Sequence, residues 1–351
     1  MRFELSENQN MIQEQVRRFA TNRLAPLAHT SLPIKDLLSE IYDLGLRGPR
    51  VSFDFDGLSM DAISDVIIIE ELAKQDAGLA LMLAMHNLGA FTLGLLEHPW
   101  TTQFTTGDQW LGVAFIDAPE NSDALNLTLD FVAGAQHLTH MLLISHEQIL
   151  LTPLSHQSVT RTVLDSPLGL RAIEPCSIEF NNTPAQTLQV FGHNSNQEDV
   201  ELSLLHATHH AHLAAICTGL AQSAYLAGAT YAYERKQFNR RLTDFQVTQF
   251  KLANMATQNT AAKHLLYYAA HCIDTTQMNA ASQALLAHSR AIKSAKETTD
   301  EALQLHGGYG YTQEYIIERY YRDIVALSAL SGGRRKANLR AGELLLETLV
   351  Q

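Results

Sequence analysis

Apolar residues recur at helical spacing through the first third of the chain. Ile12, Val16 and Phe19 fall on one helical face, just after Ser6 and Gln9, which are spaced as a capping box. Pro26 ends or bends that segment. Residues 34–46 predict a second, short helix, 61–73 a third and 79–96 a fourth. In the third, positions 66–69 are apolar almost all round, so this helix is expected between other helices rather than at the surface. The pattern changes near Leu111. Short β-favouring pieces follow at 112–116, 141–144, 149–151 and 177–180, separated by polar, turn-rich segments. Helical periodicity returns after Glu201, over 202–235, 244–274, 279–306 and 313–329, with a last helix after Gly332. Gly307 and Gly308 stand where a helix C-cap belongs. The pattern predicts a mainly α fold with a central β domain. An N-terminal helical domain occupies 1–110, a small β-barrel-like or sandwich domain 111–200, and a C-terminal four-helix bundle 201–351.

Composition narrows the function classes. The chain carries 25 Lys+Arg against 37 Asp+Glu, a formal charge of −12, which argues against a nucleic-acid-binding surface. The two densest basic spots, Arg235-Lys236 with Arg240-Arg241 and Arg334-Arg335-Lys336, could each hold one anionic ligand or simply be solvated helix ends. Three cysteines, Cys176, Cys217 and Cys272, form no CxxC, which fits a reducing compartment. The N-terminus has no apolar signal core, and no stretch is expected to reach the ~18 apolar residues of a membrane span. A cytoplasmic protein is the expectation. His206 and His210, at i,i+4, could bind a divalent cation, but no nearby carboxylate or cysteine completes a set, and no metal is expected.

Three motifs carry a family resemblance. One is Tyr231-Ala-Tyr-Glu-Arg-Lys-Gln-Phe238 followed by Gln246; the second is Gln304 with Gly307-Gly308; the third is the run from Tyr309 through Arg319 and Arg322 to Asp323. Together with Glu70 to Asp76 and the helix–β–helix order, they make the chain similar to the acyl-CoA dehydrogenase family. The resemblance implies FAD as cofactor, an acyl-CoA or acyl-carrier thioester as substrate, an electron-transfer acceptor, and a homodimer or homotetramer. It implies that Arg235 contacts the FAD pyrophosphate of a neighbouring subunit, with Phe238 packing nearby and Gln246 at the adenine end. A guanidinium forks naturally onto phosphate oxygens. Gln304, Gly307 and Gly308 match a Gln-x-x-Gly-Gly motif where the backbone approaches the phosphate–ribose region. Taken singly, Arg235 reads as a surface arginine and Gly307-Gly308 as a helix terminator.

The sequence also departs from the family. Of the motif that opens the β domain there, only Ser122 and Asp123 remain. A tryptophan strand that covers the flavin is replaced by 131–134, where Phe131 could still cover the ring but Ala133 has lost a hydroxyl. A helix arginine falls near His210. The family's carboxylate base, which takes an α-proton while hydride leaves the β-carbon for flavin N5, aligns with Ser331, and the threonine of its Gly-Thr pair aligns with Gly333. A serine needs a partner to act as a base. Some family members carry the base on an earlier helix, and that position is His209, an alternative base or a histidine without chemistry. The expected activity is α,β-desaturation of an acyl thioester. The alternatives are a catalytically impaired subunit of a hetero-oligomer and a flavin enzyme repurposed to other chemistry.

Overall fold

The computed structural model describes residues 4–27, 32–117, 119, 124–191 and 196–350. Ser122 and Asp123 lie outside them. Helix α1 (Glu7–Phe19) starts at the capping box: Ser6 Oγ accepts from the Gln9 amide at 3.2 Å, and Gln9 Oε1 accepts from the Ser6 amide at 2.9 Å. The chain continues through a π-helical turn, Ala20–Leu24, and a 3-10 turn containing Pro26. Helices α2 (Ile34–Asp43), α3 (Ala62–Ala73) and α4 (Ala77–Leu95) follow, then the short α5 (Thr101–Thr105). Asp61 caps α3 and Asp76 caps α4. As the all-round apolar pattern implies, α3 is buried over nearly its whole length. One expectation needs correcting. By length and composition α4 could cross a membrane; here it is a core helix, with most of its surface buried in the protein.

The strands are β1 (Leu111–Phe115), β2 (Ala124–Val132), β3 (His140–Ile144), β4 (Gln148–Pro153), β5 (Val159–Val163), β6 (Cys176–Pro184) and β7 (Gln186–Val190). They form two sheets, ordered β1-β3-β4-β7 and β2-β6-β5, with β1 and β3 parallel and the other pairs antiparallel. Neither sheet closes on itself, which corrects the barrel-like half of the expectation. Pairing as two open sheets lets the apolar β3 and β4 lie in the core while β5 remains an exposed edge.

The C-terminal helices are α6 (Asn196–Glu234), α7 (Gln246–Asp274), α8 (Ala280–His306), α9 (Ile317–Leu327) and α10 (Gly333–Val350). Between α6 and α7 lies a small hairpin, β8 (Lys236–Gln237) and β9 (Arg240–Arg241). Helix α6 packs on α7, α8 and α9 and also reaches α3 and α4, and the main apolar cluster draws residues from all three parts of the chain.

A buried ionic clamp joins those parts. Arg319 on α9 bonds Asp76 at the start of α4 and lies 3.5 Å from Asp323 one turn on. Asp323 Oδ1 accepts from the Leu170 amide at 2.7 Å. Burial raises the Asp323 pKa to about 6, with Arg319 opposing. The Arg319–Asp323 part of the sequence motif thus has a structural task. Removing one partner would strand a buried charge, a loss on the order of 3–5 kcal/mol.

Candidate active site

A cavity of about 1540 Å³ opens where β1 and β2 face α6, α8 and α10. Its wall brings Ser331 and His209 together: His209 Nε2 lies 2.7 Å from Ser331 Oγ. The sequence offers them as rivals for one role; the fold makes them one hydrogen-bonded pair. Ser331 sits at φ 53°, ψ 30°, a left-handed conformation unusual for serine, at the kink before α10. Gly332 and Gly333 continue the positive φ. A Cβ on Gly333 would come 2.2 Å from the Ser328 carbonyl oxygen, so this glycine is required by the backbone itself.

His209 is buried, and burial followed by the field of His210 drives its pKa well below the usual histidine value. It is neutral near pH 7. Its Nδ1 has no hydrogen-bond partner among the described residues. The other histidines of this stretch separate by environment. His206 stacks on Phe115 at 4.4 Å between ring centroids, and burial lowers its pKa to about 4. His210 Nδ1 lies 3.0 Å from His288 Nδ1, and burial lowers His288 to about 4 as well. His212 points away from the cavity and binds Asp65 at 2.8 Å, inside the core. Among the described residues no group of three His, Cys, Asp or Glu side chains is arranged to hold a metal ion.

Phe131 and Phe115 also line the cavity, as do Lys336 and Arg340 on α10. Sequence reasoning missed Phe115, His288 and Arg340. Lys336 belongs to a basic spot already singled out, and Arg340 follows it at i+4, a spacing that could have been noticed. His288 left no signal.

The remaining candidate residues gather elsewhere, at the far end of α6. From His209 to Arg235 is 26 residues of nearly continuous helix, about 39 Å. There Tyr231 stacks on His306 at 4.2 Å, and the Arg235 guanidinium lies 5.8 Å from the Tyr309 ring centre. Arg235, Phe238, Gln246, Gln304, Gly307 and Gly308 are all exposed on this ledge. Phe238 and Asn239 form the two-residue turn of the β8–β9 hairpin, both at positive φ, and Phe238 is 88% exposed. A Cβ built on Gly307 or Gly308 would meet nothing within 4 Å. The space above these glycines is open.

Two family profiles match the chain: the acyl-CoA dehydrogenase N-terminal domain over residues 6–98 and the C-terminal domain over 207–335. The chain belongs to the acyl-CoA dehydrogenase family. It is 26% identical to a 3-(aryl)acrylate reductase of Clostridium sporogenes, over 93% of this chain and 95% of that protein. It is also 26% identical to the mitochondrial short/branched chain specific acyl-CoA dehydrogenase of Rattus norvegicus, over 89% of this chain and 80% of that one. The butyryl-CoA dehydrogenase structure from Megasphaera elsdenii superposes with a TM-score of 0.86 at 23% identity, covering 99% of this chain and 100% of that chain. The family consists of flavin-dependent acyl-CoA oxidoreductases, as the motifs imply.

Proposed function

We propose that this chain is an FAD-dependent oxidoreductase of acyl thioesters in which Ser331 and His209 jointly handle the α-proton. The observation that carries the reading is their 2.7 Å contact on the cavity wall, at the position that aligns with the family's base. The residues present suit a flavin dinucleotide shared between two chains. The open space above Gly307 and Gly308 admits a close backbone approach by a phosphate-bearing group, and Arg235 stands beside it as the phosphate ligand. Phe238, Gln246 and Gln304 complete that ledge. Phe131 and Phe115 offer aromatic walls in the cavity, and Gly333 holds the turn that aims Ser331. The ~39 Å along α6 between the two regions supports a homo-oligomer in which one chain's ledge serves another chain's cavity. The flavin, when bound, supplies hydride exchange with the substrate β-carbon.

The chain's own residues set the proton step. Neutral His209 accepts the Ser331 hydroxyl proton, or returns it, while Ser331 Oγ faces the substrate α-carbon. Anaerobic mixing of the flavin-loaded protein with an acyl-CoA panel should bleach the flavin, and His209→Ala should slow bleaching about 10²–10⁴-fold. Unchanged bleaching in that variant removes His209 from the step. A colourless protein that takes up no FAD removes the reading altogether, and flavin retained only alongside a homologous chain supports the hetero-oligomer instead.

A second reading concerns direction. A serine hydroxyl bonded to a neutral imidazole arrives protonated. It delivers a proton to a carbanionic α-carbon more readily than it takes one from a neutral α-carbon. The pair therefore favours reduction of an α,β-unsaturated thioester, and one of the similar proteins is a reductase by name. Re-oxidation of dithionite-reduced protein by an enoyl-CoA, faster than its bleaching by the matching acyl-CoA, is the expected result. The opposite order refutes the reductive direction.

A further inference from the structure

A group aimed at the α-carbon of a thioester is one bond away from the carbonyl carbon. At that place the family's carboxylate is replaced by a hydroxyl whose proton has an acceptor. We propose that Ser331 is a nucleophile toward the substrate carbonyl, giving the protein an acyl-transfer activity on the same thioesters, separate from its redox chemistry. The proposal rests on the reading above for its substrate class and on the geometry for its chemistry.

The arrangement meets the requirements of a nucleophile–base pair. Ser331 Oγ lies 2.7 Å from His209 Nε2. The serine is held at φ 53° on a sharp turn leading into a helix, and it remains exposed to the cavity. Burial keeps the imidazole neutral, and in the tautomer protonated at Nδ1 its Nε2 accepts the serine proton. Helix α10 begins two residues after Ser331; the Gly333 amide is held by the Leu330 carbonyl, and the amides that follow it in the first turn lack intrahelical acceptors and can stabilise a developing oxyanion. Lys336 and Arg340, on the next turns, line the same cavity and attract a phosphate-bearing carrier.

The step is a plain acyl transfer. Ser331 Oγ bonds to the carbonyl carbon while its proton passes to His209 Nε2. The carbon–sulfur bond then breaks, and His209 returns the proton to the departing sulfur. The products are an acyl ester on Ser331 and a free thiol. Water, deprotonated by His209, can then release the carboxylic acid and regenerate the serine. No electrons are exchanged with a cofactor.

The unpartnered His209 Nδ1 sets the rate. Among the described residues no acid bonds Nδ1 to orient the ring or stabilise the imidazolium, a defect that costs about 10⁴-fold in a complete serine triad. Deacylation needs the same base and attacks an oxygen ester, which is less electrophilic than the thioester, so it is the slower step and the acyl-enzyme accumulates. The test is intact-mass and peptide mass spectrometry of the full-length protein after incubation with acetyl-, butyryl- and octanoyl-CoA, with thiol release followed by a chromogenic disulfide. The expected result is an adduct of the acyl mass on Ser331 and one thiol released per adduct. Ser331→Ala should abolish both. His209→Gln should slow acylation about 10²–10⁴-fold. Ser331→Cys should restore an adduct, which a purely structural serine would not do. Thiol release from the wild type no faster than from Ser331→Ala, or an adduct on another residue, overturns the proposal. Flavin is not a reactant, so the two readings fail separately: acylation without FAD uptake overturns only the redox reading, and flavin bleaching without acylation overturns only this one.

Discussion

The two ends of α6 contrast in how completely the chain furnishes them. At the cavity end nearly every group is fixed by its neighbours. Ser331, Gly332 and Gly333 lie at positive φ, and Cβ atoms on the two glycines would meet Lys336 Cδ at 2.5 Å and the Ser328 carbonyl at 2.2 Å. His209 and His288 there are buried and His206 half-buried, and burial keeps all three neutral. At the ledge end, strained backbone is presented outward. Phe238 holds a left-handed turn with its ring in solvent, and Gly307 and Gly308 face empty space. Strain held by packing marks a site finished within one chain. Strain on an exposed aromatic marks a surface that awaits a ligand or a second chain.

That contrast can be tested from its largest expected consequence to its smallest. Gly333→Ala should destabilise the protein on the order of 3 kcal/mol, because alanine fits neither the positive φ nor the contact with Ser328, and a urea titration would show it. A neutral result would mean that the turn holding Ser331 is soft. Arg235→Ala should leave the denaturation midpoint of the flavin-free chain unchanged but weaken FAD retention by ~10–100-fold, the worth of a charged hydrogen bond to phosphate. A fall in the flavin-free midpoint would show the ledge to be structural.

His288 tests the cavity end by pH. Its pKa in the fold, about 4, lies below the ordinary 6.5, so the unfolded chain binds the proton first. The stability it contributes is complete above pH 6.5 and is lost as pH falls toward 4, amounting to ~2 kcal/mol by pH 5. His288→Gln should flatten the change in urea midpoint between pH 7 and pH 5, and an unaltered slope refutes the assignment. The smallest effect belongs to Phe238→Gly, which should raise the stability of the isolated chain by up to ~1 kcal/mol through relief of the left-handed turn. The same change should weaken self-association in light scattering if the ring is covered by a second copy.

The sequence made the helices legible because their apolar stripes run for many turns, and the capping box and the burial of α3 followed from local chemistry. The strands were read less fully. β2 alternates Leu125, Leu127 and Leu129 with Asn126, Thr128 and Asp130, a period-two signal carried by the sequence itself. β5, Val-Thr-Arg-Thr-Val, favours a strand by its β-branched residues but has no buried face, so only its pairing with β6 fixes its place in the sheet. The motifs name Arg235, Phe238, Gln246, Gln304, Gly307 and Gly308, and all six are exposed in the structure. The pairing of Ser331 with His209 was out of reach, since 122 positions separate them and only the packing of α6 against the α9–α10 junction closes the gap. Likewise Asp76 and Arg319 were each visible in a motif, but not that they hold each other.

The length of α6 has a consequence for inheritance. If cavity and ledge of one working centre come from different polypeptides, a copy that loses Ser331 and a copy that loses Arg235 can rescue each other in a mixed oligomer, each supplying the half the other lacks. After gene duplication, one copy could let its cavity decay and still be retained for its ledge. Selection would then act on the two ends of a single helix as on two separate genes.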